Sequence, residues 1–486
     1  MADDDVDVLV VGAGLSGIGA AHYLQTDCPD LSYAVLESRA AVGGTWDLFR
    51  YPGVRSDSDM YTLGYTFRPW DDPKSIADGP AILQYIEDTA TEAGIDRKIR
   101  FHHRVVRADW STEDARWDVT VERTDTGETV HIGCRFLFGC TGYYRYDKGY
   151  EPEFPGRDRF TGTVVHPQHW PADLDYSGKR VVVIGSGATA VTLVPAMTDE
   201  AAHVTMLQRS PTYITSLPSR DPIARAMRRF LPERVAHPSI RWFKAVTTLG
   251  FFLAARRFPD RMKQVLRRGV ERQLPAGYAV DPHFTPTYDP WDQRLCLVPD
   301  GDLFKAIGSG RASVVTDRIA TFTETGIDLE SGASLEADVI VTATGLDLLA
   351  IGGIELHVDG EKVSIPERFV YKGMMLEGVP NFAFAFGYTN ASWTLKADLT
   401  CHYVCKLLNT MRDRGDRQCT PVNSDPSVTE RPLLDFSSGY VQRAMDRFPK
   451  QGSKAPWQVS MNYVKDYRAL RMGSVDDEAM AFSNRA

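Results

Sequence analysis

The sequence has no Cys-x-x-Cys pair, no excess of basic residues, and no apolar run of the roughly 18 residues needed to span a bilayer. Each absence excludes a class. Without paired cysteines there is neither a zinc ribbon nor a thioredoxin-like dithiol. The seven scattered cysteines, Cys28, Cys134, Cys140, Cys296, Cys401, Cys405 and Cys419, read as free thiols in a reducing compartment, with Cys401 and Cys405 one turn apart on a buried helix. A net charge of −9 excludes the basic stripe that a nucleic-acid partner requires. The acidic start, Met1 to Asp5, lacks the basic and apolar regions of a signal peptide, so a cytoplasmic location is expected. The longest apolar stretch, Trp242 to Phe258, is interrupted by Lys244, Arg256 and Arg257. It reads as a packed helix before a membrane-surface one, and peripheral membrane contact stays open.

What is present is an ordinary globular composition, 43% hydrophobic and 24% charged over 486 residues, enough for two or three domains. Residues 6–12 form a nearly unbroken apolar run, followed by a helical stretch from Ser16 to Leu24 and a second strand at 33–37. The same order returns later: a strand at 180–184, a helix from Ala190 to Met197 and a strand at 203–207. Two strand–helix–strand units predict an α/β fold with two Rossmann-like dinucleotide-binding domains, one nested in the other. Residues 211–282, rich in Arg, Phe and Trp, read as a helical insertion. Further strands are expected at 338–342 and 382–386 and a helix at 395–411; the tail after Gly452 has weak periodicity. The resulting division is 1–145 with 346–486 for one nucleotide, 146–215 with 283–345 for the other, and 216–282 as the insertion.

Gly12-Ala13-Gly14-Leu15-Ser16-Gly17 places G-x-G-x-x-G between strand and helix. Gly12 permits the tight turn, Gly14 the approach of a pyrophosphate, and Gly17 close packing of the helix on its strand. Glu37, twenty residues past Gly17, is placed to accept from a ribose diol. This motif alone does not choose between FAD and NAD. Gly43-Gly44-Thr45-Trp46 adds a flat backbone stretch that can pass close to a planar group. The second motif, Gly185-Ser186-Gly187-Ala188-Thr189-Ala190, continuing into Val191, is the G-x-G-x-x-A variant. Its second strand ends in Gln208-Arg209-Ser210 instead of a carboxylate, and a guanidinium there favours the 2′-phosphate of NADPH. An acid-tagged and an arginine-tagged site in one chain predict a flavoprotein reduced by NADPH.

Between the motifs, Phe160-Thr161-Gly162-Thr163-Val164-Val165-His166-Pro167-Gln168-His169-Trp170-Pro171 matches F-x-G-x-x-x-H-x-x-x-W-P at every defined position. On this run the chain resembles the Baeyer–Villiger flavin monooxygenases. Residues 44–53, 290–299 and 387–398 make it most similar to the ethionamide-monooxygenase branch of that family. The resemblance covers nearly the whole chain and is thinnest in the insertion and the tail.

The resemblance implies NADPH reduction of FAD, addition of O₂ to give a C4a-peroxyflavin, and insertion of one oxygen atom into a ketone to give an ester or lactone. S-oxygenation of thioethers or thioamides is implied beside it. It carries Arg294 over as the catalytic cation and Asp57 as the carboxylate orienting it. It also assigns Gly44, Thr45, Trp46, Asp47, Leu48, Asp57, Val105 and Trp393 to the FAD site, and Arg55 and Ser56 to the NADP site. Gln293 departs from the family, where a phosphate-binding Lys precedes the catalytic Arg; phosphate binding then falls on Arg209 and Ser210. His166 reads equally as a structural turn residue. Two alternatives stay open: an N- or S-oxidising flavin monooxygenase, and a non-catalytic NADP(H)-sensing flavoprotein. A disulfide reductase is excluded by the missing redox cysteines.

Overall fold

The computed structural model describes residues 5–293, 295–434 and 437–484. Strand β1 (Val6–Val11) buries its apolar run completely from Val8 onward and leads through a glycine turn into helix α1 (Leu15–Asp27) and strand β2 (Tyr33–Leu36). β1 pairs in parallel with β2, and β2 with the short β3 (Ile99–Arg100). On its other side β1 meets β6 (Thr129–Gly139), which continues antiparallel through β5 (Arg116–Arg123) to β4 (His103–Ser111). The far half of β6 pairs with Phe382–Phe384, and β4 with Glu355–Val358, so late segments complete this nine-stranded sheet. In β5, Trp117, Val119 and Val121 face the core at period two.

The second sheet is wholly parallel. Its strands are β7 (Thr163–Val165), β8 (Arg180–Ile184), β9 (His203–Gln208), β10 (Ala312–Thr316) and β11 (Val339–Thr342), in spatial order β10-β9-β8-β11-β7. Helix α2 (Ala188–Met197) connects β8 to β9. All five strands lie in sequence between β6 and Phe382, which is the nesting expected of the two nucleotide units.

Residues 211–282 hold a strand, Ile214–Leu217, and helices α3 (Pro222–Phe230), α4 (Glu233–Arg257) and α5 (Pro259–Glu271). Asp221 caps α3, accepting from the N–H groups of Ile223 and Ala224, with Pro222 at its first position. Helix α6 spans Trp393–Arg414, longer at both ends than its apolar periodicity indicates, and ends on Gly415 in the left-handed region. The tail after Gly452 holds a short helix at Tyr463–Asp466 and a strand, Met480–Ser483, that pairs with Gln418–Pro421. All seven cysteines are buried, and among the described residues none is joined in a disulfide. Among the described residues no helix is long and apolar enough to cross a membrane.

Candidate functional site

The two glycine turns lie where their strands end. Gly12 has φ +106°, and a β-carbon there would stand 2.6 Å from the Cys140 carbonyl oxygen. One on Gly17 would stand 1.8 Å from the Gly12 carbonyl, so the third glycine seats α1 on β1. Gly44, at φ 55° and ψ −119°, adopts a backbone that only glycine takes readily, and a β-carbon there would lie 3.0 Å from the Gly14 α-carbon. Gly14 and Gly44 therefore form a bare backbone seam. Gly185, at φ +141°, repeats the first turn beside Ala343.

Neither α1 nor α2 has a side-chain N-cap. Their leading N–H groups and positive dipole ends are thus disposed toward an anion. Both helix starts open on one cavity of about 540 Å³, which Gly14, Leu15 and Ser16 line from one side and Ala188, Thr189 and Thr192 from the other. Glu37, 5% exposed, lies on its wall; its carboxylate accepts from the Ala13 N–H at 2.8 Å and the Arg39 N–H at 2.9 Å. A carboxylate has further lone pairs for a diol. His103, Arg104 and Val105 line the end beyond Glu37.

Between the helix starts the wall is aromatic and polar: Thr45, Trp46, Tyr143, Tyr146 and Trp393, with Arg55, Ser56 and Asp57. Trp393 heads α6, donates its indole N–H to Ser16 Oγ at 2.7 Å and stacks on Tyr143 at 5.2 Å. It thereby ties the start of α6 to the start of α1. Arg55 pairs with Asp302, and the Ser56 hydroxyl donates to the Ser58 carbonyl at 2.8 Å. Tyr388, also on the wall, donates to Asp466 at 2.6 Å; Lys396 donates to the same carboxylate at 2.8 Å, and both charges are buried. Burial first, then that carboxylate, pushes the Tyr388 phenol well above its ordinary range.

Some expected residues stand elsewhere. Asp47 is buried between Arg39 and Arg50, and neither it nor Leu48 is on the cavity wall, although Gly43 to Trp46 are. Gly17 and Ala190 serve packing. Gly185, Ser186, Gly187, Val191, Arg209 and Ser210 are also outside the cavity lining. Ser186 donates to the Ser210 carbonyl at 2.9 Å, and Arg209 and Ser210 are exposed past the end of β9. Arg294 lies outside the described residues. The run Phe160 to Pro171 does not line the cavity. Phe160 packs on Phe322, and Gln168 donates to the carbonyls of Arg145 and Tyr146, pinning the stretch that enters the cavity at Tyr146. His166 Nδ1 accepts from the Gln168 N–H, and burial draws its pKa below the usual histidine value.

One residue near the second site had no motif to reveal it. Arg443, from the C-terminal region, places its guanidinium 3.4 Å from the centre of the Tyr150 ring. Burial holds its pKa below the ordinary arginine value, opposed by Tyr150 and Asp347 and reinforced by nearby Arg209 and Arg447. Thr344 in turn donates to the Tyr150 carbonyl at 2.6 Å. Two neighbouring guanidinium groups suit a doubly charged anion.

Residues 6–228 match the flavin-binding monooxygenase-like family. The FAD-containing monooxygenase EthA of Mycobacterium tuberculosis is 54% identical over 483 residues, 99% of this chain and 98% of that protein. In fold the chain is similar to an oxidized steroid monooxygenase bound to NADP, with a TM-score of 0.77 at 24% identity, covering 99% of this chain and 100% of the other. It is likewise similar to an ε-caprolactone-bound cyclohexanone monooxygenase, with a TM-score of 0.73 at 20% identity, over 99% and 100% of the two chains.

Proposed function

Because the chain belongs to the EthA-type FAD-containing monooxygenases, we propose that it uses FAD and NADPH to insert one atom of O₂ into small apolar ketones, giving esters or lactones. Thioethers and thioamides are S-oxygenated at the same centre. The balance is NADPH, H⁺, O₂ and ketone giving NADP⁺, water and ester. The observation that carries this reading is the pair of uncapped helix starts on one cavity, one strand ending at Glu37 and the other at Arg209.

The residues present fit both nucleotides. The Gly14–Gly44 seam would admit the FAD pyrophosphate, Glu37 would accept from the ribose, and Trp46, Val105 and Trp393 would wall the aromatic ends. Arg209, Ser210 and Arg443 would hold the NADPH 2′-phosphate, with α2 at the pyrophosphate and Arg55 and Ser56 nearer the nicotinamide. When bound, the flavin supplies hydride acceptance and activation of O₂. The chain supplies the rest: enclosure from water, orientation and fixed charge. Arg294 provides a cation that cannot be deprotonated, stabilising negative charge on the substrate oxygen; Asp57, on the cavity wall, orients it. Residues 1–145 and 346–486 form the FAD unit in this reading, 146–215 and 283–345 the NADP unit, and 216–282 the insertion.

The test is product analysis with isotopically labelled O₂, NADPH, a cyclic ketone and a thioether. Lactone carrying one labelled oxygen supports the proposal. Sulfoxide without lactone indicates the N- or S-oxidising alternative. NADPH binding with no oxygenated product indicates a sensor.

A further inference from the structure

The chain as a whole carries −9, yet between Arg220 and Arg272 fourteen Lys and Arg residues face four Asp and Glu, a local +10. The same segment collects exposed apolar side chains. Of eleven large hydrophobics exposed among the described residues, nine fall between Leu217 and Val265. On α4, Val235, Phe243, Val246 and Leu253 are exposed and, at about 100° per residue, fall within an arc of about 80°. The buried side of that helix, Ala236, Ile240, Ala245 and Ala255, lies on the opposite arc. α4 is thus apolar on two faces, of which only one is used by the core. On α3, Ile223 and Phe230, the latter 78% exposed, share a face in the same way.

The charges are arranged to accompany this surface. Arg241 is taken by Asp398, Lys244 by Asp221 and Arg256 by Asp292. Arg225, Arg229, Arg257 and Arg261 are exposed and have no ion pair among the described residues. Arg257 and Arg261 stand 5.1 and 5.7 Å from the centre of the Phe258 ring, and Arg229 stands 5.7 Å from that of Phe230. Exposed aromatic and aliphatic groups interleaved with free guanidinium groups match the boundary between acyl chains and anionic headgroups. A second copy of the chain would set +10 against +10, which disfavours a two-fold contact.

We infer that α3, α4 and the start of α5 form a monotopic docking surface for an anionic lipid bilayer, with Phe230, Leu253 and Phe258 entering the acyl boundary. This inference stands apart from the chemistry proposed above. It does bear on access, since Arg241 and Asp398 join α4 to α6, whose first residue, Trp393, lies on the cavity wall.

The experiment is flotation of the FAD-loaded protein with vesicles of equal parts phosphatidylglycerol and phosphatidylcholine, against phosphatidylcholine alone, over a range of salt. Binding to the anionic vesicles that weakens with salt is expected. Phe230→Ser and Leu253→Ser should each lower it roughly tenfold or more, and Arg257→Glu with Arg261→Glu should remove the preference for anionic lipid, at about fivefold for each positive charge lost. Flavin content and thermal unfolding of these surface variants should match the parent. No flotation, equal binding to both vesicles, or a dimer that the same substitutions dissociate would each overturn the inference.

Discussion

Replacing Gly44 by Ala probes the seam on which the cofactor reading rests. At φ 55° and ψ −119° the backbone lies where a β-carbon costs about 1–3 kcal/mol. That carbon would also stand 3.0 Å from the Gly14 α-carbon and 3.2 Å from the Tyr146 hydroxyl, so the seam must widen by a few tenths of an ångström or more. Gly94→Ala is the matched control: its φ is +64°, a β-carbon there meets nothing within 4 Å, and it is not on the cavity wall. The control should lose about 1–2 kcal/mol of stability and keep its flavin. Gly44→Ala should lose a similar amount or somewhat more and, in addition, bind FAD at least tenfold more weakly, a difference of about 1.4 kcal/mol. Flavin absorbance after gel filtration and denaturant titration read the two quantities separately. Equal flavin retention in both variants would refute the reasoning.

Other outcomes follow from the same geometry. Arg209→Gln and Arg443→Gln should each raise KM for NADPH roughly tenfold or more, from about 1.5–3 kcal/mol per charged hydrogen bond, while kinetics with NADH hold steady. Arg294→Ala should still consume NADPH on addition of enzyme but form no ester, measured by product chromatography. Asp466→Ala strands the buried Lys396 and should cost about 3–5 kcal/mol, whereas Lys396→Met with Asp466→Leu should cost less, about 1–3 kcal/mol for the Tyr388 hydroxyl left without its acceptor, by denaturant midpoint. Burial lowers the pKa of His22, His166, His283 and His402. The unfolded chain therefore binds more protons between the lowered values and about 6.5. Stability should hold above about pH 6.5 and fall as pH drops through that window, seen as a declining Tm.

The parallel strands β1, β8 and β11 were legible because each is a short, mostly buried apolar run that leads into a glycine turn, as in Val181 to Ile184 before Gly185; the parallel β3, β7 and β10 were not, being two to five residues long and partly exposed. Strands β4 to β6 were not. Their solvent faces carry Arg107, Asp109, Asp118 and Glu122, which dilute the hydrophobic signal, and only the alternation of Trp117, Val119 and Val121 marks them. At the cavity, Gly12, Gly14, Glu37 and Thr189 were readable because a dinucleotide turn fixes them by spacing. Asp47 follows Gly43-Gly44 in sequence, and its carboxylate is held by Arg39 and Arg50, partners that no local pattern indicates. Arg443 lies 234 residues from Arg209 and is brought near it only by the C-terminal region's return, which no local pattern encodes.

In the proposed function the FAD and the nicotinamide end of NADPH meet in one cavity, within reach of hydride transfer. Anaerobic mixing of the purified, flavin-loaded protein with NADPH, followed by flavin absorbance, tests it most directly. Stoichiometric bleaching by NADPH, far slower bleaching by an equal amount of NADH, and recovery of the absorbance on admitting air are expected. A protein that takes up no FAD, or a bound flavin that NADPH leaves oxidised, would contradict it.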